Sequence, residues 1–148
     1  YPPDVAYAAL FAAAQAEAQQ ARRGLWARNA CGPATGAVIE ISAIEYNPPG
    51  DDTLDLNAEY VTLTNAAWFP VDLTGWVLKD QSATHRFRFP EGFVLLGGHR
   101  VNVHTGIGED SSEDLYWGNS GSGIWNNDGD TAYLLDPAGN IAVSRSYS

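Results

Sequence analysis

From Asp4 to about Arg23, apolar positions recur at steps of three and four: Tyr7, Leu10, Phe11, Ala14, Ala18 and Ala21. That spacing places them on one stripe of an amphipathic helix. Pro2-Pro3 blocks an earlier start, and Asp4 suits the N-cap. At the far end Arg22 and Arg23 complement the negative helix terminus, Gly24 suits the left-handed stop position, and Leu25 can fold back as its apolar contact. The pattern predicts one helix of about 20 residues. A lone helix cannot bury its own stripe, so Tyr7, Leu10, Phe11 and Trp26 are expected to pack against another surface.

Beyond a Gly/Pro-containing linker, 29–36, the period changes to two. Short β-prone runs follow at Val38 to Ile44, Tyr60 to Thr64, Leu73 to Leu78, Phe87 to Phe89, Phe93 to Leu96, Val101 to Val103, Thr131 to Leu135 and Ile141 to Val143. Turn signals separate them: Asn47-Pro-Pro-Gly50, Pro90-Glu-Gly92, Gly97-Gly98, Asn127-Asp-Gly129 and Asp136-Pro-Ala-Gly139. About seven to nine strands at this spacing indicate a β-sandwich. The chain is therefore expected to be mainly β, with residues 1–28 forming a helical segment and 37–148 the sandwich. Trp76 and Trp125 are expected in the core. Trp68, beside Phe69-Pro70, is read first as a core residue and second as an exposed contact.

Charge changes the picture of possible partners. The chain carries a net charge of −10, and the segment 1–36, with Asp4 and Glu17 against Arg22, Arg23 and Arg28, is weakly basic. The 37–148 region is thus the acidic part. Nucleic-acid affinity rests largely on Lys and Arg displacing condensed counterions, so a nucleic-acid partner is disfavoured there. No apolar run is long enough to span a membrane. The chain begins at Tyr1 and holds no Met, as expected of a piece of a longer protein whose targeting signal lies upstream. Cys31 is the only cysteine, either a free thiol or half of a disulfide to a residue outside the chain.

Candidate chemistry is sparse. His85, His99 and His104 are the only imidazoles, and Gly118-Asn-Ser-Gly-Ser122 lacks the final glycine of a nucleophile elbow. Alternation places Phe87 and Phe89 on a core face and Arg86 and Arg88 on the opposite one; with Arg100 they offer a small basic island, or else solvated charges paired to acids. Asp51, Asp52 and Asp55 cluster in one turn, and Glu109, Asp110, Glu113 and Asp114 in another. Both supply the hard oxygen ligands that Ca²⁺ prefers, although neither fits an EF-hand loop. Calcium binding and plain solvated loops both stay open. Asp128-Gly-Asp130 reads as a hairpin turn in which carboxylates cap backbone N–H groups.

Two resemblances organise these readings. Glu59, Asn65, Gly75-Trp76, Phe89-Pro90, Gly97-Gly98, Trp117-Gly118, Ile124-Trp-Asn-Asn127, Gly129-Asp130 and Asp136 occur in an order that resembles the lamin tail domain, an immunoglobulin-like sandwich found in nuclear lamins and many bacterial proteins. The helix, ending in Arg22-Arg-Gly-Leu-Trp26, resembles the last helix of the thermonuclease (staphylococcal nuclease-like) family. That family's catalytic and metal-binding positions would lie upstream, so the resemblance implies no catalytic residue in this chain. No heptad-bearing coil precedes the sandwich, so a lamin-like filament role is not implied.

Together these imply a non-catalytic binding or tethering module on a secreted or cell-envelope enzyme, the full-length protein being a Ca²⁺-dependent nuclease. Protein or cell-surface partners are expected, with Trp68, Arg86, Arg88 and Arg100 as contact candidates and no cofactor in the module itself. Two alternatives stand beside this: a domain presenting nucleic-acid substrate to the nuclease, and a structural module that self-associates, for instance through the helix.

Overall fold

The computed structural model describes residues 12–16, 39–49 and 54–148. The chain divides into two compact units, Tyr1–Thr35 and Gly36–Ser148. In the first, residues 12–16 are helical and exposed. The rest of the helix expected over 4–23 lies outside the described residues, as do Trp26, Cys31, Asp51 and Asp52.

The second unit is mainly β. Its described residues form ten strands: β1 (Ile39–Glu45), β2 (Tyr60–Asn65), β3 (Val71–Asp72), β4 (Val77–Lys79), β5 (Arg86–Arg88), β6 (Val94–Leu95), β7 (Arg100–His104), β8 (Asp114–Tyr116), β9 (Asp130–Leu135) and β10 (Ile141–Tyr147), with a 3-10 turn at Leu56–Ala58. One four-stranded sheet has the order β1-β2-β7-β8 and a second the order β10-β9-β4-β5; β3 and β6 form a separate pair. All pairings are antiparallel except β7 with β8.

Alternation builds the core. Ile39 and Ile41, Val61 and Leu63, Val101 and Val103, and Leu115 turn inward from the first sheet. Leu78, Phe87, Ala132 and Leu134 come from the second, and all belong to one apolar cluster. Trp76, Phe89, Trp125, Leu73 and Leu95 complete it. Each fully buried aliphatic side chain contributes about 1.5–3 kcal/mol, so this face-to-face burial is what holds the two sheets together. Register is pinned by the same pattern, since a one-residue slip would turn every inward side chain to solvent.

Three local expectations are corrected. Leu73 to Leu78 is not one strand: Asp72 Oδ1 accepts the Thr74 N–H at 2.8 Å and its hydroxyl at 2.6 Å, and Trp76 N–H returns to the Leu73 carbonyl at 3.0 Å. Gly75 sits at φ 72° in that turn, a left-handed conformation that glycine adopts without steric cost. β8 has no counterpart among the expected strands because Leu115 is its single inward apolar residue. The Asp128-Gly-Asp130 segment, read as a hairpin turn, instead leads from a loop into β9, whose neighbours are β10 and β4.

Side chains engage part of each free edge of the first sheet. β1 carries a register shift between Ile41 and Ala43, and there the Arg145 guanidinium donates to the carbonyls of Ile41, at 3.0 Å, and Ser42. Along β8, Asp114 N–H donates to Ser111 Oγ and Tyr116 N–H to Asp110 Oδ1, each at 3.0 Å. Occupied edge groups cannot template pairing with another chain.

Candidate functional site

Two buried polar side chains organise the loops. Glu59, 2% exposed, directs Oε1 at the N–H of Ile124 (2.7 Å), the N–H of Trp125 (3.3 Å) and the Thr105 hydroxyl (2.5 Å). A buried carboxylate is tolerable when its lone pairs meet donors. Here it ties the start of β2 to the 117–129 loop and fixes Trp125 in the core.

Asn65, fully buried, does the same for the neighbouring loop. Its amide donates to the carbonyls of Phe69 (2.8 Å) and Leu95 (3.0 Å), while its oxygen accepts the Ala67 N–H at 3.0 Å. A Cβ on Gly97 would lie 2.5 Å from the Trp68 carbonyl carbon, so the β6–β7 turn packs directly beneath the Trp68 backbone. The Trp68 side chain nevertheless stands 91% exposed. Its expected core position is thereby corrected, because the flanking hydrogen bonds hold the main chain in a loop whose side chain can only point outward. Val94 and Leu96 are also exposed, at 45% and 53%.

The other sequence candidates disperse. Arg86 and Arg88 are exposed on β5 of the second sheet, whereas Arg100 lies on β7 of the first. No basic island forms from the three. Phe87 and Phe89 do face the core as expected.

Among the described residues no three His, Cys, Asp or Glu side chains converge as a metal site. Asp55 caps the Asn57 N–H at 3.2 Å, Asp110 caps β8, and Asp114 bonds to His104; Glu109 and Glu113 are exposed. Asp130 is a cap, accepting the Thr131 N–H at 2.7 Å and the Asn126 amide at 3.1 Å.

The outer face of the first sheet carries an arrangement that the sequence reading passed over. Tyr60, Thr62 and Thr64 pair across with His104, Asn102 and Arg100. Ser42 and Thr64 share a hydroxyl contact at 2.8 Å, Thr62 donates to Asn102 Oδ1 at 2.8 Å, and the Asn102 amide donates to Asp114 Oδ1 at 3.3 Å. His104 closes the row, its Nε2 2.9 Å from Asp114 Oδ1 and its Nδ1 2.7 Å from the Asn57 carbonyl. Both partners are acceptors, so both bonds form only when each ring nitrogen carries a proton.

The His104 hydrogen bond holds the Asp114 carboxyl below its usual range, against a smaller opposing effect of desolvation. Tyr116 stacks on the imidazole with centroids 5.1 Å apart, and Tyr60 flanks it at 5.3 Å. Within this face lies an open cavity of about 930 Å³. The polar alternation of Tyr60-x-Thr62-x-Thr64 and Arg100-x-Asn102-x-His104 was the available signal for it.

Residues 33–148 match the family model of the lamin tail domain. The chain belongs to the lamin tail domain family. No curated protein matches it. The lamin tail domain is a non-catalytic, immunoglobulin-like β-sandwich, and the landmarks that suggested it from sequence are the groups that build its loops: Glu59, Asn65, Gly97 and Asp130. The helical segment precedes the matched region, so its likeness to thermonucleases gains nothing from the match.

Proposed function

We propose that this lamin tail domain is a non-catalytic tethering module that docks a protein or cell-surface partner through Trp68. One observation carries the reading: the largest side-chain type is left almost wholly in water, on a backbone that Asn65 and Gly97 hold rigid. Exposing an indole forgoes its burial energy, and a preorganised aromatic anchor loses little entropy on binding.

On the likeness of the N-terminal helix, the carrier would be a thermonuclease-like, Ca²⁺-dependent enzyme acting outside the cell or in its envelope, with this domain fixing where it works. Presentation of nucleic acid by the domain is the weaker alternative, because 37–148 holds 16 acidic against 5 basic residues and its arginines lie on different sheets. Self-association through the helix is the structural alternative.

The test is retention of the labelled chain on envelopes of the source cells, wild type against Trp68→Ala, with melting curves of both. The expected result is about tenfold weaker retention at unchanged melting temperature. Equal retention would overturn the reading. Retention abolished by free DNA would favour substrate presentation instead, and a concentration-dependent mass would favour self-association.

A further inference from the structure

We propose that the trough on the outer face of the first sheet is a second binding site, for a neutral polyhydroxylated ligand, a glycan, lying along the strands. The floor is made of small polar groups whose rotamers are already fixed by one another. Ser42 Oγ meets both Thr64 Oγ1, at 2.8 Å, and the Thr62 carbonyl, at 3.3 Å, while Thr62 donates to Asn102. Ser42, exposed, and Thr64, half-buried, keep hydroxyl lone pairs toward solvent above the buried Thr62, and fixing them in advance removes part of the ordering cost of binding. Ala43 opposes Thr62 on β1, and its short side chain helps keep the centre low.

The two ends of the trough differ in a way that suits a sugar chain. Tyr60 stands at one end, offering a ring on which the C–H face of a pyranose can stack. Arg100 stands at the other, exposed, with no side-chain partner among the described residues and five N–H donors to offer ring and hydroxyl oxygens. Tyr60 and Thr64 are four residues apart on β2, so at about 3.3 Å per residue the floor runs about 13 Å, room for more than one ring.

Other occupants fit worse. An added peptide strand pairs along a sheet edge and not across a face, and the edges of this sheet are interrupted by Arg145 at β1 and by Ser111 and Asp110 at β8. An apolar ligand would leave the hydroxyl floor unsatisfied. A polyanion would meet Glu113 and Asp114 at the rim of an acidic domain. A neutral ligand that both donates and accepts hydrogen bonds meets none of these objections.

This site lies on different residues from the Trp68 surface, and the experiment separates the two. The full chain is run in native affinity gels containing dextran, laminarin, xyloglucan or mannan, with dextran sulfate as the anionic comparison. At least one neutral polysaccharide is expected to retard the chain. Tyr60→Ala, Arg100→Ala and the trough-filling Thr64→Trp should each weaken that retardation about tenfold, while Trp68→Ala leaves it unchanged.

Among the described residues the Arg100 side chain makes no hydrogen bond or ion pair, so its variant stays informative even where a floor variant loses its fold, which melting curves would show. The proposal is overturned if no neutral polysaccharide retards the chain, if only dextran sulfate does, or if folded Arg100→Ala and Thr64→Trp bind like wild type. Loss of retardation in Trp68→Ala would equally overturn it, by moving the glycan to the other surface.

Discussion

Gly123 lies against the buried carboxylate of Glu59, where a Cβ would sit 2.7 Å from Oε2. Nothing larger than glycine can pass there unless the carboxylate yields, and the same carboxylate holds the N–H groups of Ile124 and Trp125. Gly123→Ala should therefore cost about 1–3 kcal/mol by overpacking. Glu59→Ala should cost more, about 3–5 kcal/mol, because it strands two backbone donors and the Thr105 hydroxyl in the interior. Urea denaturation of both variants checks the order. A Glu59→Ala loss below about 1 kcal/mol would show that the hub is dispensable.

Much of this framework could be read from the sequence, for reasons visible in particular residues. β7 alternates cleanly, with Val101 and Val103 packed and Arg100, Asn102 and His104 on the outer face, so its period of two appears in the chain. β8 was missed because Leu115 alone carries its pattern, and the parallel pairing to β7 is a long-range event with no local mark. Glu59 and Asn65 stood in the sequence only as landmarks of the family order, and their role became visible once the structure brought the Ile124 and Trp125 N–H groups to Glu59 and the Leu95 carbonyl to Asn65, 30 to 66 places away. Trp68 was the reverse case. Indole chemistry favours burial, and only the Asn65 hydrogen bonds and the Gly97 contact turn it outward. The outer-face row needed the cross-strand register, which no single strand states.

Asn65 and Gly97 should control the Trp68 loop without touching its indole. Asn65→Ala removes three hydrogen bonds in a fully buried position and should destabilise by about 2–4 kcal/mol. Gly97→Ala forces the Trp68 main chain to move. Trp68 fluorescence cannot be isolated among five tryptophans, so amide exchange at residues 66–69 is the measurement. Faster exchange there, with strands β1 and β9 unchanged, is expected in Gly97→Ala. Uniformly faster exchange would mean that the glycine supports the whole sandwich rather than the loop.

The His104–Asp114 pair predicts an acid limb of stability. The Asp114 carboxyl titrates lower in the folded chain than in the unfolded one. Its contribution is therefore present above the unfolded value, near 4, and is lost as pH falls through the lower folded value. Melting temperatures of wild type and Asp114→Asn, measured from about pH 6 to about pH 2, should differ at the upper end and converge below about pH 4. A gap that persists unchanged at the acid end would mean that the substitution acts through packing and not through the charged hydrogen bond.

Trp76 and Trp68 stand eight positions apart with opposite surroundings, 5% and 91% exposed. Trp76 belongs to the core cluster, joins the turn that leads into β4, and accepts at its carbonyl the Phe89 N–H at 2.9 Å. Truncation there removes a buried ring and leaves a cavity that the two packed sheets cannot close, a loss of about 3–5 kcal/mol. Against the roughly 5–15 kcal/mol that separates folded from unfolded domains, Trp76→Ala should unfold much of the population or nearly so. Trp68→Ala removes a ring that touches Phe69 edge-on at 5.5 Å and otherwise meets solvent, so it should cost under about 1 kcal/mol. Its effect belongs on partner binding. Chemical denaturation of the two variants side by side decides the matter. Losses of similar size would mean that Trp68 is folded into the domain in solution, which would withdraw the exposed anchor on which the tethering role rests.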